Sequence, residues 1–102
     1  MNNKKMLTKE DGKEYCADRH FWVGTLLLAH KYGWKPEMPR MSYLAPKVHV
    51  SAGDAQGISQ ALERLFATAL VDPGRVFPVP LDMGELHQFK EFIAGDEFAV
   101  VG

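Results

Sequence analysis

The chain contains one cysteine, Cys16, which excludes two ways of stabilising a small fold. A single thiol cannot close an intrachain disulfide, and no cysteine-based zinc site can be assembled around it. Long hydrophobic runs are missing too. The longest, around Phe21 to Ala29, is interrupted by Gly24 and Thr25 and falls well short of the roughly 20 residues that span a bilayer. The stretch MNNKKMLTKEDGKEY has a basic pair with no apolar run behind it, so it does not read as a signal peptide. An excess of one charge is also absent. A formal net charge of -1 supplies no global attraction to nucleic acid or to an anionic membrane. These absences lead to the expectation of a soluble, cytoplasmic protein with neither a membrane nor double-stranded nucleic acid as its partner.

The common catalytic signatures are missing as well. There is no HExxH, no CxxC, no GxSxG, no Walker or GxGxxG loop and no paired-carboxylate signature. The expectation is a non-enzymatic protein that needs no cofactor. A small enzyme without a recognisable motif is the reading this leaves furthest behind.

What is present is an ordinary globular composition, 46% apolar and 25% charged, over 102 residues. That length suits one domain and lets a fold bury roughly 60–70% of the surface its unfolded chain exposes. Residues 1–12 are polar and read as a flexible N-terminal segment closed by an Asp11-Gly12 turn signal. Residues 13–102 read as a single α+β domain.

The best-defined stretch is VHVSAGDAQGISQALERLFATALV, residues 48–71. Val48 and Val50 alternate with Lys47 and His49, the period of a half-buried strand. Ser51 then stands three residues before Asp54, like the two ends of a capping box. Ala55, Ile58, Leu62, Leu65, Phe66 and Ala69 follow at helical spacing, and the helix is expected over 52–70. Its start, Ser51-Ala52-Gly53, offers free amides to an anion. Ser51 and the negative Asp54 compete with such an anion, so the cap is the preferred reading. Gly53 and Gly57 form a GxxxG pair, which lets a neighbour approach closely.

A helix is expected from Lys13 or Glu14 to Tyr32, with Gly33 at its left-handed end. Cys16, Val23 and Leu27 share one side. Tyr15, Trp22, Leu26 and Ala29 form a second, and Phe21, Leu28 and Tyr32 a third. A helix apolar on most sides is hard to cover within so small a domain, and this points to self-association. A third helix is expected from the Asp82/Glu85 capping pattern, with Leu86, Phe89, Phe92 and Ile93 inward and Gly95 at its end. Residues 98–101 read as a strand pairing antiparallel with 47–50. The expected fold is a small single α+β domain of three helices packed with a short two-stranded antiparallel β-sheet.

Several of these pieces occur together in a recognisable order. They are Gly33-Trp34 with Pro36, Val48-x-Val50-Ser51-x-x-Asp54-Ala55, Ala61-Leu62-Glu63, and Phe89-x-x-Phe92-Ile93-x-Gly95-x-x-Phe98-x-Val100. In this they resemble a family of short, uncharacterised bacterial and phage-type single-domain proteins. The resemblance implies one domain with this order of elements. It brings no activity and no catalytic residue with it.

Three sets of residues are candidates for chemistry. Cys16 and His20 lie one turn apart on the expected helix, and His49 or His87 would have to complete a metal site. A thiol packed as a small hydrophobe beside a solvent-facing His is the simpler reading. Cys16 as a nucleophile would find His20 poorly placed along the same helix. The third set is Trp34, Lys35, Arg40, Tyr43 and Lys47, in and just after the proline-rich segment 33–46, with Arg75 as a possible addition. Aromatic faces interleaved with cations suit a protein interface, or a small anionic or aromatic ligand such as a nucleotide. They equally suit a loop whose aromatics close over the core. The expected function is an interaction protein that self-associates or binds another protein through the first helix and the loop 33–46. A nucleotide-like ligand is the alternative.

Overall fold

A computed structural model describes residues 4–71 and 83–102. Its elements are β1 (Lys4–Lys9), β2 (Glu14–Asp18), α1 (Arg19–Lys31), a 3₁₀ turn (Arg40–Leu44), β3 (Lys47–Val50), α2 (Ala52–Val71), α3 (Met83–Ile93) and β4 (Phe98–Val101). The fold is α+β, but the sheet has four strands in the order β2-β1-β4-β3, all antiparallel. This corrects the two-stranded expectation. The pair at 47–50 and 98–101 forms, with Lys47 opposite Val101 and Val50 opposite Phe98. The two further strands come from the segment that reads as a flexible tail and from the first turn of the expected first helix.

A hairpin accounts for both differences. Lys9 O accepts from Gly12 N–H and Lys9 N–H donates to Lys13 O, which closes a three-residue loop. Gly12 takes φ +88, a conformation that favours glycine, and Asp11 accepts from the Lys13 amide. Asp-Gly is therefore a hairpin turn and does not merely end a loose tail. Once β1 is hydrogen-bonded on both sides, Glu14–Asp18 gains more as its partner than as a helical turn. Asp18, in extended backbone, then caps α1 by accepting from His20 N–H at 2.7 Å.

The inner face of the sheet carries Leu7, Ala17, Val48, Val50, Phe98 and Val100, all buried. The three helices cover that face. Trp22 meets Phe89 and Phe98 edge-on at 6.1–6.2 Å between centroids, and Phe21 meets Phe89 at 5.8 Å. Each such side chain, fully buried, stabilises the fold by roughly 1.5–3 kcal/mol. α2 and α3 are further joined by Phe66 stacked on His87 at 3.9 Å and by the Glu63–Lys90 ion pair at 3.3 Å.

Contacts with the sheet and with α2 cover most of the apolar surface of α1, as its wide apolar circumference requires. Only Leu27 remains well exposed, at 43%. Lys5 lies on the inner face at the sheet's end and donates to Gly102 O at 2.6 Å. Burial lowers its pKa, with a further contribution from Arg19. The expected turn at Asp72-Pro73-Gly74, the residue Arg75 and the cap position Asp82 lie outside the described residues.

Candidate functional site

The loop between α1 and β3 is organised by one buried carboxylate. α1 ends in a left-handed turn at Gly33, φ +107, where Gly33 N–H donates to His30 O and Trp34 N–H to Ala29 O. This double closure turns the chain back on itself and aims Trp34 at the start of α2. Asp54 lies there, 2% exposed. Its Oδ1 accepts from Trp34 Nε1 at 3.1 Å and from the Glu37 amide at 3.1 Å. Its Oδ2 accepts from the Tyr43 hydroxyl at 2.5 Å.

The network continues outward. The Tyr43 hydroxyl accepts from the Met38 amide at 3.1 Å, while Tyr43 O accepts from Trp22 Nε1 at 3.0 Å. Burial, then the bond to Asp54, pushes the Tyr43 pKa up to about 12. Among the described residues no cation pairs with Asp54. Three donors take that role instead, as a buried carboxylate requires.

Ser51 caps α2 as expected and accepts from the Asp54 amide at 3.1 Å. Its hydroxyl also donates to Glu37 Oε1 at 2.9 Å. Asp54 does not complete a capping box, because its carboxylate turns inward to the loop. The GxxxG pair has its neighbour here too. A Cβ at Gly57 would lie 2.6 Å from Trp34 Cδ1, and one at Gly53 would collide with the Glu37 carboxylate. The two glycines make the seat in which the loop rests.

The expected binding residues therefore separate. Trp34 and Tyr43 are buried and packed edge-on at 5.2 Å, so little of either ring is open to solvent. Lys35 is exposed, and Arg40 opens the 3₁₀ turn. Lys47 is exposed on β3, at the edge of the sheet and on the side away from the helices. Trp34 and Tyr43, with Val23, Leu26, Leu27, His30, Pro36 and Leu44, line an apolar depression enclosing about 30 Å³. That is room for about one water and far too little for a nucleotide.

A second feature is the outer face of the sheet, which no helix among the described residues covers. Lys4, Glu14, Cys16, Asp18, Lys47 and His49 are exposed there, Thr8 and Ala99 are half-buried, and Met6 and Val101 remain 37% and 47% exposed. Little in the sequence announces this surface. In KKMLTK, each register holds one large apolar residue, Met6 or Leu7, so alternation alone does not say which one faces out. Cys16 belongs to this face and not to a helix, which ends the shared-face argument with His20. Among the described residues no group of three or more His, Cys, Asp or Glu gathers to hold a metal ion. Nor is any helix among them long and apolar enough to cross a membrane. No family model, curated protein or solved structure matches the chain.

Proposed function

We propose that this is a non-enzymatic interaction domain whose partner is a second copy of itself. The observation that carries the reading is the sheet packed on one side only. Three helices cover the inner face, while the outer face keeps Met6 and Val101 in the open on its two central strands. A solvated antiparallel sheet normally alternates apolar in and polar out. Large apolar groups at the middle of the solvent side fit an interface better than bulk water. The loop 33–46 supports this surface from behind. Its aromatics fix the segment that leads into β3, and Lys5 donates to Ala45 O at 3.4 Å near the same end.

The nucleotide-like alternative has less to stand on, because its two aromatic residues are core residues and Lys47 lies on the outer face of the sheet while Lys35 lies in the loop. Sedimentation equilibrium over a wide concentration range tests the proposal. A mass that rises from monomer to dimer is expected. A strict monomer at millimolar concentration would overturn it.

A further inference from the structure

We infer that two copies pack their outer sheet faces together about a two-fold axis parallel to the strands, which places Met6 against the partner's Val101 and Lys47 over the partner's acidic edge strand. This rests on the self-association just proposed and specifies its geometry.

The inference comes from the register. One row across the face reads Cys16, Met6, Val101, Lys47, each directly opposite the next. The adjacent row reads Glu14, Thr8, Ala99, His49. On the other side of the first row, Asp18 stands opposite Lys4. In these first two rows the central strands thus carry Met6, Val101, Thr8 and Ala99, while Lys4 lies on β1 in the third. The edge strand β2 carries Glu14 and Asp18, and the edge strand β3 carries Lys47 and His49. His49 is already paired with Glu97 at 3.0 Å. Asp18 serves as the cap of α1. Among the described residues neither Glu14 nor Lys47 has an ion-pair partner.

Two stacked sheets related by a two-fold axis can meet in two ways. An axis running across the strands sets β2 over β2 and β3 over β3. Glu14 and Asp18 would then face their own kind, and so would Lys47. An axis running along the strands sets β2 over the partner's β3, twice. Lys47 then lies above the partner's Cys16, between Glu14 and Asp18, and His49 lies above the partner's Glu14. Met6 and the partner's Val101 meet at the centre, and the symmetric contact repeats the exchange. The charges therefore select the second axis, and the apolar row is complementary to itself under it. Aligned sheets pack about 10 Å apart, a gap that a lysine and a glutamate span together. The contact is isologous and closes as a dimer, leaving no open chain of copies.

The single cysteine makes the geometry testable. In a Lys47→Cys variant the two cysteines of one chain stand three strand spacings apart, about 14 Å. Facing sheets stand about 10 Å apart, also beyond the roughly 7 Å that a direct disulfide bridges, so a short bis-maleimide is used to link each cysteine to its partner's. With that reagent, K47C is expected to give a covalent dimer much faster than the wild type. It should also outpace Ala67→Cys, an exposed position on α2 that sets the collisional rate. Met6→Lys and Val101→Lys, both at exposed positions, are each expected to weaken dimerisation at least about tenfold. A wild type that is monomeric throughout removes the proposed function and this geometry together. A wild type that self-associates while M6K and V101K change nothing removes the geometry alone. The geometry also fails, with self-association intact, if Cys16 links to Cys16 as readily in the wild type as K47C links to its partner.

Discussion

Trp34 donates its indole N–H to Asp54 Oδ1 at 3.1 Å, from the residue that follows the end of one helix to the first turn of the next. The bond is buried, and Asp54 accepts two further hydrogen bonds from the same loop. Removing the carboxylate therefore leaves three donors without an acceptor. Each stranded buried group costs about 1–3 kcal/mol. Asp54→Ala is expected to lower the unfolding free energy by at least about 3 kcal/mol, read from urea denaturation. Asp54→Asn keeps the shape but turns an amide donor toward one of the donors, and should be nearly as damaging. A loss below about 1 kcal/mol in the alanine variant would mean that the loop does not depend on this carboxylate.

Tyr43 gives this network a signature in alkali. Its folded pKa is raised from 10.0 to about 12, so the folded state holds the proton more tightly than the unfolded chain. The associated stability is fully present below pH 10 and is lost as pH rises from 10 through 12. The amount is on the order of 2–3 kcal/mol. The Tyr15 hydroxyl is raised as well, by burial first and then by Glu85 and Cys16, and acts in the same direction. The useful measurement is therefore the difference between wild type and Tyr43→Phe. Tyr43→Phe should be less stable at neutral pH, and the gap should close between pH 10 and 12. A gap that stays constant across that window would contradict the linkage.

Gly57 is expected to tolerate no side chain. Its backbone is helical, so alanine would otherwise favour the helix by up to about 1 kcal/mol. Here the added Cβ would lie 2.6 Å from the Trp34 ring, which is itself held by Asp54. The indole must move or the bond must stretch. Gly57→Ala should destabilise by about 1–3 kcal/mol and shift tryptophan emission to the red as Trp34 is displaced. A stabilised variant with unchanged emission would show that the loop is not seated on this glycine.

Part of this structure is legible in the sequence, and the rest is hidden for physical reasons. Ser51 and the helix after it are readable because a cap and a long apolar period are local signals. The antiparallel pair at 47–50 and 98–101 is readable because both segments are short, apolar and bounded by turn residues. Asp54 is legible only in its local role, since nothing local says that Trp34, Glu37 and Tyr43 return to it. Residues 14–18 mislead because Tyr15 and Cys16 extend the helical pattern of the residues after Asp18. Their strand pairing depends on a hairpin partner, and KKMLTK carries too few apolar residues to declare itself. The apolar circumference of α1, which in the sequence argues for self-association, is largely accounted for by the sheet and α2 within one copy. The outer sheet face becomes visible only with the register of all four strands.

That register is tested most directly by neighbouring residues of β1. Leu7 is fully buried and stands opposite Tyr15 on one side and Val100 on the other. Met6 points to the outer face. Truncating Leu7 leaves a cavity between the sheet and the helices, so Leu7→Ala should cost about 2–5 kcal/mol. Met6→Ala removes a partly solvated side chain and should cost less than about 1 kcal/mol in the monomer. A loosely attached N-terminal segment would give small losses at both positions. A strand slipped by one residue would reverse the order, because every side chain would change face. Native-state hydrogen exchange adds a second check. Amides of β1 that bond to β2 and β4 should be protected nearly to the level of global unfolding, as expected for a central strand and not for a fraying end.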